Sequence, residues 1–204
     1  MDVRLALTGF GNVGQGLATL LTKYGDRYQR EYGVRPVLTG IADRGGAVTA
    51  PQGLDPETLL EAKRATGTVA SLPEGTPGMH GEQFLDRADA RVLIEVASTN
   101  FVDAEPGWSY IRGAFARDMD VVLASKGSLA LHYGAVMREA ASKGRRVLFS
   151  ATVGAPVPSL QIAERGLTGA GTLGFEGILN GTTHQILTAM AGGATYDEGV
   201  RQAQ

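Results

Sequence analysis

Gly9-Phe10-Gly11-Asn12-Val13-Gly14 is the stretch on which the fold turns. In front of it runs Arg4-Leu5-Ala6-Leu7-Thr8, a short apolar segment that reads as a buried strand. Behind it Val13, Leu17, Leu20 and Leu21 recur at i, i+4, i+7 and i+8, the stripe of a helix. Glycines spaced G-x-G-x-x-G at such a junction each have a separate physical task. Gly9 permits the tight turn, Gly11 lets a pyrophosphate approach the backbone, and Gly14 lets helix and strand pack closely. The free N–H groups of the helix's first turn then face the phosphates. With 29 glycines in 204 residues, three in six also arise by chance. Weight comes from the position of the motif at the first junction of a longer alternation.

That alternation continues downstream. Val37 to Ala42 is a second apolar run, closed by Asp43-Arg44-Gly45-Gly46. Asp55-Pro56 opens a helix that Gly67 stops, with Asp as N-cap and Pro in the first turn. Residues 68–82 are rich in Gly and Pro and read as an excursion. Arg91 to Ala97 is a third strand, and Trp108, Ile111 and Phe115 share one helical face after Pro106. Val121 to Ala124 is a fourth strand. Leu131, Tyr133, Val136, Met137 and Ala140 mark a helix that ends at Gly144, and Val147-Leu148-Phe149 is a fifth strand. Strands alternating with helices over residues 1–150 predict a parallel sheet covered on both faces, a doubly wound α/β domain with its loops along one edge. Residues 151–204 read as the start of a second, α+β domain. Pro156 and Pro158 bracket a turn, a helix follows (Leu160, Ile162, Ala163), Thr172 to Leu179 reads as a strand, and Ile186, Leu187 and Met190 form a helix face. The pattern opened by Tyr196-Asp197-Glu198 reaches Gln204 without a stop signal, so the second domain is expected to be incomplete.

Composition narrows the chemistry. The absence of Cys excludes a disulfide scaffold, a thiolate zinc site and a cysteine nucleophile. Nineteen Lys+Arg against 21 Asp+Glu, with no basic cluster, argue against nucleic acid as a partner. No apolar run approaches the ~20 residues of a membrane span. The N-terminus lacks the basic start and apolar core of a signal peptide, so a cytoplasmic protein with no membrane partner is expected.

Candidate site residues lie at the predicted strand ends. Asp43 follows the second strand, where an acidic residue accepts from a ribose 2′-hydroxyl and favours NAD. Arg44 beside it suits a 2′-phosphate and favours NADP, so both cofactors stay open. Asp43 lies 29 residues after Gly14, beyond the usual ~20, and an insertion around Tyr24-Gly25-Asp26-Arg27-Tyr28 accounts for the excess. Ser98-Thr99-Asn100 closes the third strand with small polar groups suited to ribose or nicotinamide, or to a turn and helix cap. Lys126 follows the fourth strand, where a lysine holds a carboxylate or hydroxyl or assists proton transfer, unless it is a plain surface lysine. Glu95, inside an apolar strand, is hydrogen-bonded in place or turned outward and is not read as catalytic. His80, His132 and His184 have no metal-like or triad spacing. Asn180-Gly181-Thr182-Thr183 opens a helix, with Thr182 or Thr183 as a cap or the helix N-terminus as an anion site.

Together these segments resemble homoserine dehydrogenase. The resemblance rests on Thr8 to Gly16, Gly40-Ile41-Ala42-Asp43, Ser125 to Leu131, Ala151-Thr152-Val153-Gly154 and Gly177 to Thr183, which occur in the family's order. It implies a Rossmann-type domain over 1–150, a partial substrate-binding and dimerisation domain over 151–204, and a homodimer. It also implies NAD- or NADP-dependent interconversion of L-homoserine and L-aspartate 4-semialdehyde, in threonine, methionine and isoleucine synthesis. Carried onto this chain, Gly11, Asn12, Val13 and Gly14 would hold the pyrophosphate, with Gly9 and Phe10 also among the cofactor-binding residues. Ser98 and Thr99 would lie near the nicotinamide, and Lys126 would be the active-site lysine at the cofactor–substrate junction. Gly181 and Thr182 would border substrate, and the carbonyls of Val153 and Ala155 would face a structural Na+ or K+. Ser125 replaces a common Asn. Ser150 replaces a Glu that helps hold the metal in many members, and the family's acidic pair and second lysine lie beyond Gln204. The expectation is therefore a chain that binds dinucleotide with little or no turnover by itself. The competing readings are a cyclic-imine reductase or amino-acid dehydrogenase, and a non-catalytic dinucleotide-binding fragment or sensor.

Overall fold

The computed structural model describes residues 1–154, 157–178 and 180–203. Its elements follow in chain order as β1 (Asp2–Thr8), α1 (Asn12–Tyr32), β2 (Arg35–Asp43), β3 (Gly46–Thr49), α2 (Pro56–Thr66), β4 (Gly75–Pro77), α3 (Gly81–Ala88) and β5 (Val92–Glu95). Then come α4 (Gly107–Ala116), β6 (Asp120–Leu123), α5 (Gly127–Lys143), β7 (Val147–Leu148), α6 (Ser159–Gln161), α7 (Gly181–Ala191) and α8 (Tyr196–Ala203). The chain divides into two compact units, Met1–Thr152 and Val153–Gln204.

The first unit is a seven-stranded sheet in the order β4-β3-β2-β1-β5-β6-β7. β2, β1, β5, β6 and β7 run parallel. The chain moves outward from β1 on one side and returns to its other side at β5. The sheet therefore reverses its winding between β1 and β5, and a crevice opens beyond their C-terminal ends. Successive β1 residues serve opposite faces. Leu5 and Leu7 join Phe10, Ala18, Ile41, Leu59 and Val69 on one side. Ala6 joins Phe84, Leu93, Ile111, Phe115 and Val121 on the other. Both faces being dry is why the parallel strands read as unbroken apolar runs rather than alternating ones.

Two features depart from the sequence reading. After Asp43 the chain turns at Arg44-Gly45 and returns as β3, antiparallel to β2, and β4 adds a further antiparallel edge strand. Strands of four and three residues are too short to show a period, so this region read as an excursion, and α3 went unseen behind it. The Tyr24–Tyr28 insertion is helix: α1 runs 21 residues before Gly33 stops it at φ 66°. The Asp55 cap is as expected, its carboxylate accepting from the Thr58 amide at 2.9 Å.

In the second unit α6 continues into a wider helical turn over Ile162–Gly166. The strand expected over Thr172–Leu179 is absent from residues 172–178, and Leu179 lies outside the described residues. A strand exists only through its ladder, and no described segment pairs with this one. Leu173 and Phe175 are left largely exposed. Pro156 also lies outside the described residues, so the turn it was expected to bracket with Pro158 is not described.

Candidate functional site

The glycine bend forms one wall of a cleft of about 770 Å³ at the β1/β5 crevice. Gly9 sits at φ +95°, and a Cβ there would stand 2.6 Å from the Ala97 nitrogen, so only glycine lets the bend lean on the end of β5. A Cβ on Gly14 would meet the Gly9 carbonyl oxygen at 2.4 Å, which fixes glycine where the first turn of α1 lies against the bend. At Gly11 the space a Cβ would take is open. Gly11 is the N-cap of α1 and brings no side-chain acceptor, so the first-turn amides remain available to an anion. Asn12 and Val13 are exposed beside it. The Phe10 side chain is 1% exposed and belongs to the core. Only its backbone can serve the cleft.

Asp43 lines the cleft floor as a structural hub. Its Oδ1 accepts from the Gly45 amide at 2.9 Å and the Thr68 hydroxyl at 2.7 Å. Its Oδ2 accepts from Lys63 Nζ at 2.7 Å and the Val69 amide at 3.1 Å. An ionised carboxylate has about four lone-pair sites, and all are engaged. Burial pushes this carboxyl up, but the Lys63 ammonium, the Thr68 hydroxyl and the two amides together hold it below its ordinary value. Arg44, exposed at the turn, and Lys63 both line the cleft. Arg44 makes no ion pair among the described residues. Sequence reasoning missed Lys63; its signal was the spacing to Leu59, which puts it one turn along the buried face of α2.

Ser98, Ala97 and Val96 close the cleft at the end of β5. On the far side Tyr110, whose hydroxyl accepts from the Gly81 amide at 3.0 Å, joins His80, Ser109, Glu105 and Pro106. Burial pushes the Tyr110 phenol up. None of these five was singled out for the cleft, because they come from α3, α4 and the loops before them. Thr99 and Lys126 stand beside the lining rather than in it: the Lys126 amide, at the head of α5, donates to Thr99 Oγ1 at 3.2 Å. Glu95 is fully buried and hydrogen-bonded in place, accepting from the Ala97 amide at 3.0 Å and from Ser125 Oγ. His132 stacks on Trp108 with ring centroids 5.0 Å apart.

In the second unit the cap of α7 is Asn180, not a threonine. Its Oδ1 accepts from the Thr183 amide at 2.9 Å. Gly181 and Thr182 occupy the exposed first turn. Val153 follows a short helical turn, and Ala155 lies outside the described residues. No cluster of three or more His, Asp or Glu among the described residues could hold a metal. No described helix is long and apolar enough to cross a membrane.

A doubly wound sheet whose glycine bend faces a cleft at the winding reversal has the architecture of a dinucleotide-binding Rossmann-type domain. Residues 1–114 match the family model described as glutamate/leucine/phenylalanine/valine dehydrogenase, and residues 158–204 match the homoserine dehydrogenase model. The NAD(+)-dependent homoserine dehydrogenase of Pseudomonas canavaninivorans is 35% identical over all of this chain and 58% of its own length. The homoserine dehydrogenase of Methanocaldococcus jannaschii is 33% identical over all of this chain and 60% of its own. The chain belongs to the homoserine dehydrogenase family. The amino-acid dehydrogenase match ends within α4, before β6 and β7, whereas these relatives align across both units. In structure, the homoserine dehydrogenase of Thermoplasma acidophilum superposes with TM-score 0.83 at 23% identity, covering all of this chain and 60% of its own, which speaks for the fold. A hyperthermophilic archaeal homoserine dehydrogenase mutant in complex with NADPH superposes at 0.80 with 25% identity and the same coverage. The chain spans about 60% of the length of the curated relatives it matches.

Proposed function

We propose that the protein carrying this chain interconverts L-homoserine and L-aspartate 4-semialdehyde with a nicotinamide dinucleotide. The observation that carries the reading is the uncapped α1 N-terminus at Gly11, open to the cleft between the ends of β1 and β5. The amides from Gly11 to Gly14 would hold the diphosphate, and Ser98 and Thr99 would lie toward the nicotinamide. When bound, the dinucleotide supplies or takes up the hydride. Lys126 would hold a proton at the substrate oxygen and stabilise its negative charge; a substrate-binding role for Gly181 and Thr182 is carried by the family resemblance. The test is dinucleotide-dependent oxidation of L-homoserine by the intact protein, followed by reduced-nicotinamide absorbance. Lys126→Met is expected to lower kcat about 10²–10³-fold. Activity within twofold of the parent would refute the role.

The same reading assigns the 2′-phosphate of NADP to Arg44 and Lys63. Asp43 has no lone pair left for a ribose hydroxyl, and both cations line the cleft beside it. A charge-assisted contact contributes about 1.5–3 kcal/mol. Arg44→Ala is thus expected to weaken NADP binding about 10-fold or more while NAD changes under about twofold. Equal weakening of both would overturn the assignment. Two further proposals are a homodimer joined through the exposed Leu173–Ile178 segment, and residence in the cytoplasm. The structural Na+ or K+ remains tied to family resemblance, because Val153 alone of its two residues is described.

A further inference from the structure

The β1/β5 ladder ends where the Val96 amide donates to the Thr8 carbonyl, at 2.9 Å. The β5/β6 ladder ends where the Ala124 amide donates to the Glu95 carbonyl, at 3.0 Å. Beyond these bonds the regular ladder stops, and the chain runs on into the adjacent loops that carry Ser98 and Lys126. These loops touch again where a Cβ on Gly127 would stand 2.1 Å from the Asn100 carbonyl oxygen. The Glu95 side chain sits at that ladder end with no exposure to solvent. One carboxyl oxygen takes the Ala97 amide just past its own strand, and the other takes the Ser125 hydroxyl just past the neighbouring strand. Gly107, at the head of α4, closes the pocket: a Cβ there would lie 3.3 Å from Glu95 Cδ and 3.1 Å from Ser128 Oγ. Among the described residues Glu95 forms no ion pair, and the buried Ser128 hydroxyl has no partner.

A carboxyl buried without a cation is costly unless it is bonded, and one retained there ties down whatever it bonds. The Ser125–Lys126 step is held from three directions. Ser125 Oγ meets Glu95, the Ser125 carbonyl accepts from Thr152 Oγ1 at 3.1 Å, and the Lys126 amide meets Thr99 Oγ1. Of these ties, only the Glu95 carboxyl also grips the cleft wall, through Ala97. We propose that Glu95 is a positioning residue for Lys126: its carboxyl takes over where the β5/β6 ladder ends, and holds the Ala97 wall and the Lys126 step in one arrangement. Burial pushes the Glu95 carboxyl above its ordinary value, against the Ser125 and Ala97 bonds that lower it, in keeping with a group built in for its hydrogen bonds rather than its charge.

This inference rests on Lys126 acting on the substrate oxygen, and the test separates the two. On the intact enzyme, Glu95→Ala is expected to lower kcat about 10–100-fold through displacement of the lysine. ADP, a probe of the Gly9–Gly14 bend alone, should bind within about twofold of the parent affinity, because Val96 keeps its own ladder bond. Glu95→Gln, which retains an acceptor for Ala97 and a polar partner for Ser125, should recover kcat to within about threefold of the parent. Should Glu95→Ala fail to fold, Ser125→Ala decides: a drop of about 3–10-fold in kcat with ADP binding intact supports the proposal. Unchanged kcat in that variant, or in Glu95→Ala, overturns it if Lys126→Met still lowers kcat about 10²–10³-fold. Parallel loss of ADP binding and kcat would show a general structural role and overturn it too. If Lys126→Met itself is without effect, the reading of the lysine falls instead, and the positioning role falls with it.

Discussion

Replacing Asp43 with Ala should unsettle the first unit before it alters any choice of cofactor. The substitution strips an acceptor from the Thr68 hydroxyl, from the Gly45 and Val69 amides and from the Lys63 ammonium. The side chains of Asp43 and Lys63 are 3% and 20% exposed, so their ion pair is largely out of water. Breaking a buried pair from one side costs about 3–5 kcal/mol. Water reaching Lys63 reduces that to about 2–4 kcal/mol. For a unit of this size each kcal/mol moves the melting temperature by about 2–4 °C, so Asp43→Ala should melt about 5–15 °C lower. The sign of the pH dependence follows from the lowered carboxyl. The Asp43 contribution is complete above the unfolded value of about 3.9 and is lost as pH falls through the folded one. The parent and variant melting curves should therefore converge in acid. The assay is thermal unfolding by circular dichroism from neutral pH downward. A shift under about 2 °C at neutral pH, with a selective loss of NAD affinity, would show that Asp43 serves the ribose instead and refute the reasoning.

Other perturbations probe other parts of the molecule. Gly14→Ala places a methyl 2.4 Å from the Gly9 carbonyl and should cost dinucleotide binding at least about 10-fold by calorimetry; unchanged affinity would mean that the bend has room to relax. Asp55→Ala removes the cap of α2 and should destabilise the first unit by about 1 kcal/mol in urea unfolding, with no change in dinucleotide affinity. Phe175→Lys puts a charge on the exposed segment proposed to join protomers and should shift the species measured by light scattering from dimer to monomer; an unaltered mass would place the interface elsewhere.

Much of the first unit was legible because its physics is local. Apolar runs bounded by glycine, a helical stripe behind G-x-G-x-x-G and a Pro-preceded helix each carry their meaning within a dozen residues, and right-handed crossovers order them into a sheet with one functional edge. Spacing alone assigned Gly9 to the tight turn, which its φ of +95° and its contact with Ala97 demand, whereas the close approach at Gly14 is to the Gly9 carbonyl of the bend rather than to the strand. What escaped depends on partners distant in the chain. β3 and β4 are too short to announce themselves and exist through pairing with β2 and each other. The stretch around Leu173 has strand-like residues but no described neighbour to pair with. Asp43 illustrates the division most clearly. Its acidic type and its place after a strand pointed to a ribose, yet whether its oxygens face a ligand or the protein depends on Lys63, Thr68 and Val69, brought to it by the folding of α2 and the turn beyond. Residue type and spacing were enough for a dinucleotide bend on a doubly wound sheet. Tertiary packing alone decided which lone pairs were already taken, because hydrogen-bond capacity is consumed by neighbours in space, and sequence distance does not record them.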